Sequence, residues 1–129
     1  MAHFQLDYSA NLEEVLDISA LCEAIRACAA NSETFQTAGV RVRAVRVDHY
    51  AMADGSAKHG FIDLSVRLRA GRDEDVKKQE IAVIFDRLKE FTAPAMATHS
   101  IAISAEMRDI DAQLSPKFGN VRAHMENEA

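Results

Sequence analysis

Three arginines crowd one short apolar stretch: Arg41, Arg43 and Arg46 stand among Val40, Val42, Val45 and Val47. On a strand, residues two apart share a face, so Arg41 and Arg43 project together and repel unless an anion lies between them. That anion is either an Asp or Glu of the same chain or a bound carboxylate, which the planar fork of Arg grips bidentately. Arg72 follows Gly71 at the start of an acidic helical segment. A helix dipole disfavours a cation there. Arg72 is therefore either a solvated loop residue or, with the helix N-terminus, a second wall for an anion.

The other chemistry-bearing residues form no known constellation. His3, His49, His59, His99 and His124 are scattered with no pair at metal-ligand spacing, so no metal is expected. There is no phosphate-binding loop and no Gly-x-Ser-x-Gly elbow. Asp54 reads as a turn residue, and Lys58 and Lys117 as solvated. Cys22 and Cys28 lie six apart in a helical pattern, on different sides and too far apart for a disulfide. They read as small buried thiols suited to a reducing cytoplasm.

Fifteen basic and 20 acidic residues leave a net charge of −5, which excludes nucleic acid as a main partner. No run approaches the length of a membrane span, and the start Met1-Ala2-His3-Phe4 lacks the basic and apolar regions of a signal peptide, so a cytoplasmic protein is expected. A chain of 129 residues, 48% apolar, makes one domain with a modest core, which oligomerisation would help.

The elements that must position these side chains follow from periodicity. Phe4, Leu6 and Tyr8 alternate with Gln5 and Asp7, a strand starting almost at the N-terminus. Val15, Ile18, Leu21, Cys22, Ile25, Cys28 and Ala29 fall at helical spacing, with Asn11 and Glu14 or Asp17 as candidate caps. Val40 to Val47 is the second strand, and its slip in period at Ala44-Val45 predicts a β-bulge that sets Arg46 apart as a surface charge. Residues 48–60 form a hairpin-like excursion around Asp54-Gly55. Ile62, Leu64, Val66 and Leu68 mark a third strand. Ile81, Ile84, Phe85, Leu88 and Phe91 mark a helix that Pro94 stops, and Ile101, Ile103, Ala105 and Met107 mark a last strand.

This order predicts an α/β fold: two β-α-β units forming a four-stranded mixed sheet with two helices on one face. The single domain covers residues 1–129, with the first unit at 1–49, the second at 60–110 and an ordered tail at 111–129 whose last residues, 126–129, fray. The sheet's other face needs cover, most simply a partner subunit.

His3-Phe4, Gly39-Val40-Arg41-Val42-Arg43-Ala44, Met52-Ala53-Asp54-Gly55, Ala70-Gly71-Arg72 and Leu114-x-x-Lys117-x-x-Asn120-Val121 occur in one order over nearly the whole chain. Together they resemble the 5-carboxymethyl-2-hydroxymuconate isomerase family of the tautomerase superfamily. The resemblance implies a bacterial homotrimer that shifts a proton in an unsaturated hydroxy or keto diacid during homoprotocatechuate breakdown, without cofactor or metal. It implies an N-terminal proline as base, exposed when the initiator methionine is removed. It implies Arg41 as the residue that binds or polarises the acidic substrate, with Arg43 and Arg72 as helpers.

The chain departs from that pattern at residue 2, where Ala2 stands in place of the proline. With Met1 removed, Ala2 presents a primary amine in nearly the same place; with Met1 retained, the amine moves one residue outward. A terminal amine has an ordinary pKa of roughly 8, and burial and nearby arginines lower it toward a free base at neutral pH. Two further readings stand beside an isomerase: a non-catalytic dicarboxylate-binding homologue without the base, and a purely structural oligomerisation module with no pocket beside residue 2.

Overall fold

The alternation of the N-terminal residues becomes strand β1 (Ala2–Ser9), whose Phe4 and Leu6 are wholly buried and whose His3, Gln5 and Asp7 face the other way. The computed structural model describes residues 1–128. A short 3-10 turn at Ala10–Glu14 leads to helix α1 (Ile18–Ala30). Asp17 caps that helix, its side chain accepting from Ala20 N at 3.0 Å. Asn11 serves elsewhere, its Nδ2 donating to His59 O at 2.9 Å.

Strands β2 (Val40–Val47), β3 (His59–Arg69) and β4 (Ser100–Ile110) complete a four-stranded sheet in the order β2-β1-β3-β4. Strands β1 and β2 are parallel, as are β3 and β4, while β1 and β3 pair antiparallel at the centre. Each parallel pair needs a crossover. Helix α1 supplies one and helix α2 (Glu74–Met96) the other. Leu21, Ile25 and Ala29 of α1 and Ile84 and Leu88 of α2 are buried against Phe4, Leu6, Ile62, Leu64, Val66 and Leu68. Each large side chain so buried contributes about 1.5–3 kcal/mol. Both long helices thus cover one face, as the pattern of the sequence predicts.

Four expectations need correction. There is no bulge in β2: its register with β1 runs unbroken from Ala2↔Val40 to Ser9↔Val47. Ala44 belongs to the helix-facing row with Val40 and Val42, and the small side chain hides the period. Arg46 continues that row at the sheet edge, where it pairs with Glu13 at 3.3 Å and Asp48 at 3.0 Å. It is a surface charge, as expected, but because it lies on the face opposite to Arg41 and Arg43.

Pro94 does not stop α2, which runs on to Met96. A proline in the last turn forfeits only one hydrogen bond, so the helix tolerates it there. The excursion before β3 is not a hairpin, since β1 lies between β2 and β3. It does hold a tight turn, with Gly55 N donating to Met52 O at 2.7 Å. The tail does not fray from 126 as expected: Val121–Glu128 forms helix α3, and Ala129 lies outside the described residues.

Candidate active site

The N-terminus is pinned where the two units meet. Arg69 N donates to Met1 O at 3.3 Å, and Ala2 pairs with Val40 on one side and Leu68 on the other. Gly39 lets the chain end approach closely: a Cβ there would lie 3.0 Å from Met1 Cα and 3.1 Å from Met1 N. Residue 2 is therefore held by the central strand, not by a loose terminus.

Two cavities open beside this chain end. One of about 400 Å³ is bordered by Met1, Gln36, Gly39, Arg41, Lys117 and Arg122 among others. The second, of about 320 Å³, is bordered by Met1, Arg69, Ala70, Ile110, Ser115 and Lys117 among others. Neither has a carboxylate among its described lining residues. The chain as a whole is acidic, so this concentration of cations is a local product of folding.

The amine of Met1 feels that concentration. Burial lowers its pKa below the ordinary value, and Lys117, Arg72, Arg41 and Arg69 lower it further by repelling the ammonium form. A base at this position is thus poised to be free nearer neutral pH. His3, one residue on, also has a lowered pKa, from burial and then from Arg41, Arg67 and Arg43.

The arginines singled out in the sequence are distributed unequally. Arg41 and Arg43 do share the open sheet face, opposite His3 and Gln5 in register. Only Arg41 reaches the cavity at the chain end. Arg43 lies farther along the face, donating from Nε to Gln5 Oε1 at 3.1 Å and standing 3.4 Å from His3 Nδ1. It borders a different, polar hollow with Asp7, Asp63 and Glu106. Arg72 adds to the field around the amine, but its guanidinium donates to two carbonyls, Thr34 O at 2.6 Å and Arg69 O at 3.0 Å. Gly71, at φ 111°, turns the chain just before it.

Sequence reasoning missed three of the cavity residues. Lys117 is exposed, as expected of a solvated lysine, yet it borders both cavities. Arg69 and Arg122 join it there, and Arg122 Nη2 donates to Gln36 Oε1 at 2.6 Å. The only available signal was Lys117's place in the ordered motif Leu114-x-x-Lys117-x-x-Asn120-Val121. Asp54 is the turn residue expected, and its Oδ1 also lies 2.8 Å from His59 Nε2.

The model of the family described as 5-carboxymethyl-2-hydroxymuconate isomerase matches residues 2–125. The chain belongs to that family. It is similar to the 5-carboxymethyl-2-hydroxymuconate Delta-isomerase of Escherichia coli, with 29% identity over 95% of this chain and 98% of the relative. A crystal structure of a 5-carboxymethyl-2-hydroxymuconate delta-isomerase matches with a TM-score of 0.90 at 28% identity, covering 97% of this chain and 93% of the other. One from Deinococcus radiodurans R1 matches with a TM-score of 0.87 at 30% identity, over 96% and 93%. The fold is tautomerase-like and the family's activity is isomerisation, so the chain is an enzyme of isomerase type. No helix among the described residues is long and apolar enough to cross a membrane.

Proposed function

We propose that this isomerase shifts a proton in an unsaturated hydroxy or keto diacid of the 5-carboxymethyl-2-hydroxymuconate type, with the terminal amine as the base. Removal of Met1 presents the amine of Ala2, which accepts the proton from one substrate atom and returns it to another. The reaction is balanced within the substrate and calls for no cofactor. Arg41 binds a substrate carboxylate and stabilises the enolate charge that develops as the proton leaves. Arg43 and Arg72 support it from outside the cavity, by charge and by shaping the face.

The observation that carries this reading is the place of the chain end: the Met1 amine, its pKa lowered by burial and by cations, borders two cation-lined cavities, and Ala2 follows it at the start of the central strand. We take the working form to be a bacterial, cytoplasmic homotrimer engaged in homoprotocatechuate breakdown. Support for assembly comes from two large apolar side chains of the tail, Phe118, which is fully exposed, and Leu114, which is 81% exposed.

The test is ketonisation or isomerisation of hydroxymuconate-type substrates by protein whose intact mass establishes loss of Met1, with Ala2→Pro and Arg41→Ala alongside. Turnover by the processed chain, raised in Ala2→Pro and lost in Arg41→Ala, is expected. No turnover by the processed chain, together with dicarboxylate binding that needs Arg41, would replace the catalytic reading with a binding protein.

A further inference from the structure

The cations that border the two cavities at this chain end have no acidic partner. Arg26, Arg46, Lys77, Arg87, Lys89 and Arg108 each pair with a carboxylate. Among the described residues, Arg41, Arg69, Lys117 and Arg122 have none. With no carboxylate among the described lining residues of either cavity, a bound anion is the complement this cluster lacks.

Lys117 is the one cation that faces both cavities, and the amine of Met1 lies on the border of both as well. Its position is set from two sides. Upstream, Asp111 Oδ1 accepts from Gln113 N and Leu114 N, each at 2.8 Å, in a turn that redirects the chain leaving β4. Downstream, Arg122 is tied to Gln36 in the connection between α1 and β2. Between these two ties the tail brings Lys117 to the border of both cavities, which Met1 borders as well.

We propose that Lys117, carried in by the tail and assisted by Arg69, holds a second substrate carboxylate in the cavity that Arg41 does not border. This rests on the isomerase reading above and adds to it a two-point grip. A diacid would then span the amine, one carboxylate in each cavity, with its reactive carbons over the base. After burial, Lys117 is also the foremost of the cations that lower the pKa of the Met1 amine, and it remains at the chain end when Ala2 becomes terminal. The charged groups facing the amine are Lys117 from the tail, Arg72 from the loop before α2, Arg41 from β2 and Arg69 from β3.

The experiment compares Lys117→Gln and Lys117→Arg with the unsubstituted enzyme in two assays. In calorimetry, adipate and its monomethyl ester serve as unreactive probes. Loss of a charged contact should weaken adipate binding by about ten- to a hundredfold in Lys117→Gln, leave the half-ester little changed, and be largely restored in Lys117→Arg. In turnover, Lys117→Gln should raise KM more than it lowers kcat and move the acidic limb of kcat/KM to higher pH. Equal binding of adipate by all three proteins would overturn the assignment, as would equal losses for adipate and the half-ester. If adipate binding depends on Lys117 while no form turns over a hydroxymuconate, the carboxylate site stands and the isomerase reading falls. If Arg41→Ala abolishes turnover while Lys117→Gln changes nothing, the isomerase reading stands and this one falls.

Discussion

Gly39→Ala should report on the state of the N-terminus. In the chain that begins with Met1, the new Cβ would lie 3.0 Å from Met1 Cα and 3.1 Å from Met1 N, both backbone atoms that cannot rotate away. The next contact, Ala2 N, is at 3.8 Å, an ordinary van der Waals distance. Removing Met1 therefore removes the clash and leaves the contact with Ala2 intact. Gly39 has no positive φ, so no backbone strain accompanies the change. In the Met-retaining form the neighbours must shift by a few tenths of an ångström in a strand paired on both sides. Overpacking of that kind costs about 1–3 kcal/mol, or roughly 4–11 °C in Tm for a chain this size. In the processed form the cost should fall below about 0.5 kcal/mol, as for a surface change. Both forms can be made by expression with and without extra methionine aminopeptidase and checked by intact mass. Thermal unfolding of the four proteins then gives two differences. Equal destabilisation in both forms would refute the reasoning, because it would place the role of Gly39 elsewhere than against residue 1.

Other outcomes follow from the same structure. The acidic limb of kcat/KM should fall below the roughly pH 8 of an ordinary α-amine, because burial and then Lys117, Arg72, Arg41 and Arg69 lower the pKa of the Met1 amine and the same cations remain at the chain end when Ala2 becomes terminal; a limb at or above that value would remove the amine as base. Tyr8 donates to Glu13 at 2.6 Å, and its phenol is pushed up to about 12, first by that hydrogen bond and then by burial. Its pKa is raised on folding, so the stability it contributes is complete below about pH 10 and is lost as pH rises toward 12. Tyr8→Phe should flatten that alkaline fall, as read by denaturation at stepped pH. Asp17→Ala removes the side-chain cap of α1 and should cost about 1 kcal/mol in urea unfolding with an unchanged m value. Leu88→Ala empties a wholly buried position between α2 and the sheet and should cost about 2–5 kcal/mol.

Much of the scaffold was determined by the sequence alone. Period-two alternation at Phe4, Leu6 and Tyr8, and again from Ile62 to Leu68, can bury one face only as a strand. The two helical stripes have nowhere to go but over that face. This is local chemistry repeated along the chain, and it predicts two β-α-β units before any contact is known. The order of motifs carried the family, and with it Arg41.

Tertiary structure decided which charges meet. Arg41 and Arg43 are two residues apart and share a face, yet the cavity at the chain end takes one and leaves the other, because the cavity is bounded by residues from three distant segments. Arg46 looked displaced by a bulge; the packing shows that Ala44, partly buried against the core, continues the inner row with a side chain too small to mark it. Lys117 has the sequence character of any surface lysine. Only the return of the tail, turned by Asp111 and anchored by Arg122 on Gln36, sets it beside residue 1. Periodicity encodes which face of an element is buried, whereas convergence of like charges depends on where separate elements end in space, and no local pattern records that.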